Sequence, residues 1–597
     1  MTTGASGPRA EYQRRVALWD ERIANGERQH IRLSNLRLAV AGVTAFTGWL
    51  VFFRSSAPII TFIVPGLLFL VLVVIHALLL QRNERAARAK RLYMRGLERM
   101  DGKWVGTGPD GARFESEHAY ARDLDLFGSG SLFQLLTTAR TEAGEETLAD
   151  WLRVPADVDE IRGRQHGVQE LRGRLDFRED LAVLAAEAHV GRTSALDQWA
   201  RTSPLGLPAI AGALFAVSAA GTAATISLAL ADLVDVWVPL AWLLLQIGLV
   251  AVWRRQITEA AHRIEAPSLD LRLLVALLAR VERETFSSPR LVGIHRRLMQ
   301  EKIAPSACLK RLQTFVAALD SLHNPLFAPF GALLLVRSQA SVAVDRWHAR
   351  HGAALASWLD ALGELEALSS LAAFAYERPD HPFPSVEREG PLLEADALAH
   401  PLIVSHAAVP NDLRLGGEWP RVLVVSGSNM SGKSTLLRAI GCNVVLALAG
   451  APVSATSMKL SLLAIGATLR VEDSLQAGLS RFYAEILRIR TIVELAAGPL
   501  PLLFLLDEIL HGTNSHDRRI GAEAIVRTLV DAGAIGLVTT HDLALTAFTG
   551  SLAAAAVNVH FEDRIDNGTM VFDYRMRPGV VEHSNALELM RAVGLKV

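Results

Sequence analysis

The sequence predicts a C-terminal α/β domain built around a P-loop, joined to an α-helical core that carries two transmembrane helical hairpins. Three observations lead there. A glycine-rich turn lies between an apolar strand and a helix near residue 430. Short β-rich runs alternate with helices beyond residue 390, and four uncharged apolar stretches occur as two tight pairs.

At 597 residues the chain is too long for one domain. Its 61 Lys and Arg against 62 Asp and Glu leave almost no net charge, which excludes a globally basic nucleic-acid coat but permits a local patch. Cys308 and Cys442 stand far apart without metal-ligand spacing, so neither a disulfide framework nor a zinc site follows; each reads as a small buried apolar side chain. Half of all residues are hydrophobic, which is high for a soluble enzyme. The first thirty residues are polar and charged, and no cleavable signal peptide is expected.

The first apolar run is Leu38 to Phe53, followed after a short break by Ile59 to Leu80. A second pair, Leu205 to Ala231 and Val236 to Trp253, is joined by Asp232-Leu233-Val234-Asp235. About 20 apolar residues cross a hydrocarbon core of roughly 30 Å. The second run meets that length alone, and Trp49, Trp237 and Trp253 near the span ends suit a membrane interface. The competing reading is a set of buried core helices.

Arg28, Arg32 and Arg37 precede the first span, and Arg82, Arg85, Arg88, Lys90 and Arg91 follow the second. Arg201 precedes the third, Arg254 and Arg255 follow the fourth, and the tips hold only Arg54, Asp232 and Asp235. Under the positive-inside rule both hairpin bases, both termini and the C-terminal domain are cytoplasmic, which makes the chain multi-pass in the cell (inner) membrane, with lipid as a partner along four spans. His76, within the second span, reads as a neutral histidine near the interface or as an intramembrane functional group.

The expected organisation is a cytoplasmic segment at 1–35, the first hairpin at 36–81 and a linker at 82–122. The first part of the helical core follows at 123–203, the second hairpin at 204–254, and the rest of the core at 255–378. A Pro-rich charged stretch, Glu377 to Glu389, then leads into the α/β domain at 390–597. Within the core, Pro155 ends one helix and Asp157 or Asp159 can cap the next. Pro289, Pro305 and Pro325 interrupt the second part, whose last helix, about 342–376, aligns Leu355, Leu359, Leu362, Leu365 and Leu368.

The segment RVLVVSGSNMSGKSTLLRAIG satisfies G-x-x-x-x-G-K-[ST] between a strand and a helix. Gly427 and Gly432 permit the tight turn, so the backbone of Ser428, Asn429, Met430, Ser431 and Thr435 can face phosphates at a helix N-terminus. Lys433 is expected to neutralise the β- and γ-phosphates of ATP, and Ser434 to hold Mg²⁺. In LLFLLDEILHGT a five-residue apolar strand ends in two acids: Asp507 for Mg²⁺ and Glu508 to polarise the attacking water. His541, at the end of GLVTTH, is a candidate γ-phosphate sensor.

In this order the motifs resemble the ATPase domain of the MutS family, a branch of the ABC-type ATPases. GSNMSGKST is similar to the family's GPNMGGKST, with Ser428 and Ser431 as departures; DEILHGTNSHD is similar to DEIGRGTSTYD, with Leu510 and His511 replacing Gly and Arg. TTHDLALTAF resembles ATHYFELT, and LSRFYAEILRI resembles the S-x-F-x-x-E signature through Ser480, Phe482 and Glu485. The resemblance implies a homodimer in which Ser480 reaches the partner's nucleotide. Upstream, LAHPLI with Asn411-Asp412 resembles the lead-in to the P-loop, and residues from 130 to 171 resemble the start of the family's helical core.

The departures bear on function. A membrane hairpin occupies the place of a mismatch-reading domain, a second interrupts the helical core, and Phe114-Glu115 does not fit an F-x-E wedge. DNA binding, to mismatched or structured duplexes, and a repair role are implied by the family. The alternative is an ATP-driven membrane assembly or remodelling ATPase that does not bind DNA. Arg162, Arg164, Arg172 and Arg174 could touch phosphates or lie on solvated helix faces.

Overall fold

A 42-residue helix, Val336–Glu377, is the axis of the helical part. It starts six residues before its expected position, after Leu335 turns the chain with φ +52°. The five aligned leucines are all buried, but so is nearly every other face of its C-terminal half, because helices surround it. Glu142–Arg153, Val158–Arg172, Thr193–Arg201, Pro289–Leu298 and Pro305–Ser321 all pack against it. Asp157 caps its helix by accepting the Glu160 N–H, and Pro289 and Pro305 each open a helix, where a missing N–H costs nothing. This computed structural model describes residues 7–115, 118–186, 193–265, 271–300, 303–404, 406–428, 430–470, 481–511, 513–550, 552–566 and 569–581.

Two helical hairpins leave this core, and their four helices are long and apolar enough to cross a membrane. Pro8–Phe52 and Ile60–Met100 form the first. The expected divisions at 35/36 and 81/82 fall inside these continuous helices, since no proline interrupts the chain from Arg9 to Phe52 or from Gly66 to Met100. At about 1.5 Å per residue each exceeds roughly 60 Å, twice a hydrocarbon thickness. The distal halves expose Leu38, Phe46, Phe52, Val64 and Leu67, so they are not the core helices of the competing reading. The proximal halves pack on the core through Tyr12, Tyr93 and Gly96. A Cβ on Gly96 would meet the Tyr12 ring at 2.4 Å, so this helix crossing requires glycine. His76 is buried between the two helices, with Nδ1 against Arg37 and Nε2 2.8 Å from His30 Nδ1.

The second hairpin, Ala209–Leu230 and Trp237–Glu265, kinks at Trp253. Its base packs Leu207, Ala211, Phe215, Ile257 and Ala260 against Val342 of the long helix.

The α/β domain contributes ten strands among the described residues: β1 (Ser385–Glu387), β2 (Leu392–Leu398), β3 (Asn411–Gly416), β4 (Val422–Ser426), β5 (Ser457–Ser461), β6 (Ala464–Thr468), β7 (Leu502–Leu506), β8 (Ile535–Thr540), β9 (Ala556–Asp566) and β10 (Thr569–Pro578). One sheet has the order β1-β5-β2-β3 and the other β10-β9-β4-β8-β7-β6. In the larger sheet β6, β7, β8, β4 and β9 run parallel and β10 is an antiparallel edge. Strands β4, β7 and β8 are buried at every position, as expected of a parallel sheet covered on both faces.

Candidate functional site

The order β7-β8-β4 brings three expected motifs to one edge, because the chain leaves each parallel strand at the same end. The loop after β4 turns through Gly427 (φ +151°) and Gly432 (φ +104°), and Lys433 opens the helix Lys433–Ala449. A Cβ on Gly427 would lie 2.9 Å from Ser431 Oγ and 3.1 Å from Phe561 O, so the loop closes only without one. Lys433 is buried, and its Nζ donates to the carbonyls of Gly427 (2.8 Å) and Ser428 (2.7 Å). Burial pulls its ammonium below the ordinary lysine value, while Glu508, Asp507 and Asp563 oppose that shift.

Across the cleft, Asp507 and Glu508 follow β7. The Thr539 hydroxyl, on neighbouring β8, donates to Asp507 Oδ1 and accepts the Glu508 N–H at 3.0 Å, fixing the pair from one atom. Glu508 has φ +48°, uncommon for a residue with a side chain. Its Oε1 is 3.4 Å from His541 Nδ1. Behind the acids, buried Glu485 accepts the Leu510 N–H at 2.5 Å, so the signature-segment carboxylate holds the turn after β7.

Gly432, Lys433, Ser434, Asp507, Glu508 and Glu485 line one polar cavity of about 580 Å³. A smaller apolar cavity of about 160 Å³ adjoins it, walled by Leu398, Ile403, Val409 and Leu436 and sharing Gly432, Thr435 and Tyr574 with it. His400, pushed down to about 4 by burial, adds a neutral ring to that wall. The residues fit a phosphorylated ligand with its cation. Among the described residues Ser428 Oγ and Ser431 Oγ are buried without a hydrogen-bond partner, Lys433 Nζ donates to loop carbonyls, and a hydroxyl (Ser434) and a carboxylate (Asp507) line the same cavity as hard oxygen donors.

Of the expected set, Gly427, Ser428, Met430, Ser431, Gly432, Lys433, Ser434 and Thr435 form the loop and first helical turn, and Asp507, Glu508 and His541 face them or one another. Asn429 and Ser480 lie outside the described residues. Three contributors were not singled out from sequence. Thr539 is the hydroxyl just before the strand end. Tyr574 (φ +54°) has its backbone carbonyl bound by Asn411 Nδ2 at 3.0 Å. Asp123 accepts the N–H groups of Leu469 (2.7 Å) and Arg470 (2.9 Å) and pairs with Arg488 at 2.7 Å, tying the helical core to the cavity wall.

The family model for MutS domain V matches residues 423–596. Residues 423–596 thus belong to the MutS domain V family. Endonuclease MutS2 of Thermomicrobium roseum is 35% identical over 217 residues, covering 36% of this chain and 26% of that protein. DNA mismatch repair protein MutS 2 of Halobacterium salinarum is 32% identical over 235 residues, 39% of this chain and 27% of its own length. DNA mismatch repair protein MutS of Methanosarcina acetivorans is 26% identical over 514 residues, extending the likeness to 78% of this chain and 56% of the relative. The chain thus spans between about a quarter and just over half of these relatives. The helical region followed by an α/β sheet domain agrees with the MutS domain V assignment.

The four core arginines are all engaged within the protein. Arg162 donates to Val386 O, Arg172 to Pro379 O, and Arg174 to Glu170 and Glu284. Arg164 is buried between Glu160 and the Trp151 ring. Phe114 is likewise part of the core.

Proposed function

We propose that this MutS-family protein is a membrane-anchored ATPase that binds and hydrolyses ATP with Mg²⁺ and moves its helical core against two membrane hairpins. The observation that carries the reading is the convergence of buried Lys433, which follows β4, with Asp507 and Glu508, which follow β7, on one cavity at the same edge of the parallel sheet. The apolar cavity suits the base and the polar one the phosphates. Lys433 would exchange two carbonyl partners for phosphate oxygens, which favours its charged form. Ser434 and Asp507 would hold Mg²⁺, which when bound supplies charge neutralisation at the phosphates. Glu508, fixed through its own N–H, would accept the proton of the attacking water at its carboxylate, with His541 orienting that carboxylate. A homodimer completed by Ser480 in trans belongs to the same proposal.

Four exposed apolar helices and the basic flanks of both hairpins support a multi-pass protein of the cell (inner) membrane, with the α/β domain cytoplasmic. Internal engagement of the core arginines favours an assembly or remodelling role. The second reading, binding of mismatched or structured DNA in repair, is supported by the names of the MutS relatives. ATP turnover by purified full chain in detergent should fall at least about 100-fold in Glu508→Gln, with nucleotide still bound. Unchanged turnover in that variant contradicts the role of Glu508. Salt-dependent binding to branched or mismatched duplexes with ATP present would favour the DNA role; undetectable binding at low salt would eliminate it.

A further inference from the structure

Glu508 has a second neighbour that the hydrolysis reading does not use. His511 Nδ1 lies 3.9 Å from Glu508 Oε2, and His541 Nδ1 lies 3.4 Å from Glu508 Oε1. One ligand atom from each of the three residues falls within 4.8 Å of the other two. The two imidazoles meet edge to face, with centroids 5.2 Å apart. His511 stands where the resembled family form has arginine, a side chain that cannot ligate a metal.

We propose that Glu508, His511 and His541 form a binding site for a transition-metal ion of the zinc class, and that the bound ion holds Glu508 away from its work in hydrolysis. A tetrahedral ion with ligand bonds of about 2.1 Å separates its ligands by about 3.4 Å. Glu508 and His541 already have that spacing. His511 is the wider vertex, and its side chain is 47% exposed, so a small rotation brings it in without displacing packed neighbours. Two nitrogens and one carboxylate oxygen suit Zn²⁺, Co²⁺ or Ni²⁺; Mg²⁺ prefers an all-oxygen octahedron and is better served by Ser434 and Asp507. Three protein ligands leave a fourth position open to water or to a phosphate oxygen.

Metal binding at this triad needs no nucleotide, so its test does not depend on turnover. The inhibitory consequence alone rests on the hydrolysis reading. Nucleotide-free full chain in detergent is titrated with Co²⁺ while visible absorption is followed. One equivalent should give the intense bands of a four- or five-coordinate N/O site, and Zn²⁺ should abolish them. Loss of a ligand in His511→Ala, or in the family-like His511→Arg, should weaken binding at least about tenfold. His516→Ala, on a nearby exposed histidine, should leave it unchanged. No saturable Co²⁺ signal, or a signal equally affected by His511→Ala and His516→Ala, overturns the site. Zn²⁺ should also slow ATP turnover in the natural chain more than in His511→Arg; equal inhibition overturns the regulatory half of the proposal. If neither protein turns over ATP while the Co²⁺ site behaves as expected, the hydrolysis reading fails and the metal site stands.

Discussion

The two hairpins share an apolar texture, yet they are fastened to the same long helix by different chemistry. At its C-terminal end, Glu377 forms a buried ion pair with Arg99 of the first hairpin, and Tyr12 stacks on Tyr376 with its hydroxyl 3.4 Å from Glu377. Towards its N-terminal end, Asp345 accepts the N–H groups of Leu205 (2.7 Å) and Leu207 (2.8 Å) at the entry to the second hairpin, beside the apolar cluster around Val342. Roughly 50 Å of helix separates these anchors at about 1.5 Å per residue. The first anchor lies eight residues before β1, so a shift of the α/β domain reaches it over a short stretch of chain; the second lies farther off, along the long helix and the core helices packed on it. The difference teaches that a nucleotide-driven movement would load the two hairpins unequally.

The largest effect is expected where the nucleotide cycle is halted. With Glu508→Gln protein and ATP, hydrogen exchange at 95–101 should change more than at 205–211, and Lys433→Ala should erase both changes. An equal change at both anchors would contradict unequal loading. Next in size is the ion pair itself. Arg99→Ala leaves the buried Glu377 carboxylate, among the described residues, with only Arg378 at 3.9 Å and the long Tyr12 contact, and should cost about 3 kcal/mol, read as a lowered thermal midpoint and early exchange of 8–20 and 90–101. Asp345→Ala removes only an acceptor for two N–H groups and should cost about 1–3 kcal/mol, with its effect confined to 203–211. If Asp345→Ala proves the more damaging, the ranking of the anchors is reversed.

Between the anchors the long helix carries a buried carboxyl, Glu366. Burial pushes the Glu366 carboxyl up to about 7 from 4.5, against hydrogen bonds from the Thr141 hydroxyl and the N–H groups of Arg140 and Thr141. The folded chain therefore holds a proton that the unfolded chain releases, so stability falls as pH rises from about 4.5 to about 7. Glu366→Gln should flatten that slope, narrowing the gap between thermal midpoints at pH 5 and pH 8; an unchanged gap would place the proton elsewhere. The smallest expected effect is Tyr12→Phe, which removes one long hydrogen bond and should cost under about 1 kcal/mol.

The parts of this architecture written in contiguous sequence were legible. Leu502–Leu506 and Val422–Val425 are unbroken apolar runs bounded by charged, proline or serine-glycine punctuation, and both appear within strands at the expected residues. The smaller sheet was not foreseen: LLEADAL and SMKLS are half-exposed, mixed strands whose pairing is set by partners far along the chain. The same holds for the site. Lys433, Asp507 and Glu508 announce themselves by motif, whereas Asp123 reaches Leu469 across 346 positions, and no local pattern marks such a contact. His511 was visible only as a departure from a resembled motif, and its geometry with His541 needed the fold.

In the proposed site, buried Lys433, in a loop of backbone amides, holds a triphosphate beside Asp507 and Glu508. Equilibrium binding of a fluorescent ATP analogue to folded full chain with Mg²⁺, compared with Lys433→Ala, tests it most directly. Saturable binding that weakens about 100-fold or more in the variant is the expected result. Absence of binding in the well-folded natural chain, or equal binding by both proteins, would contradict it.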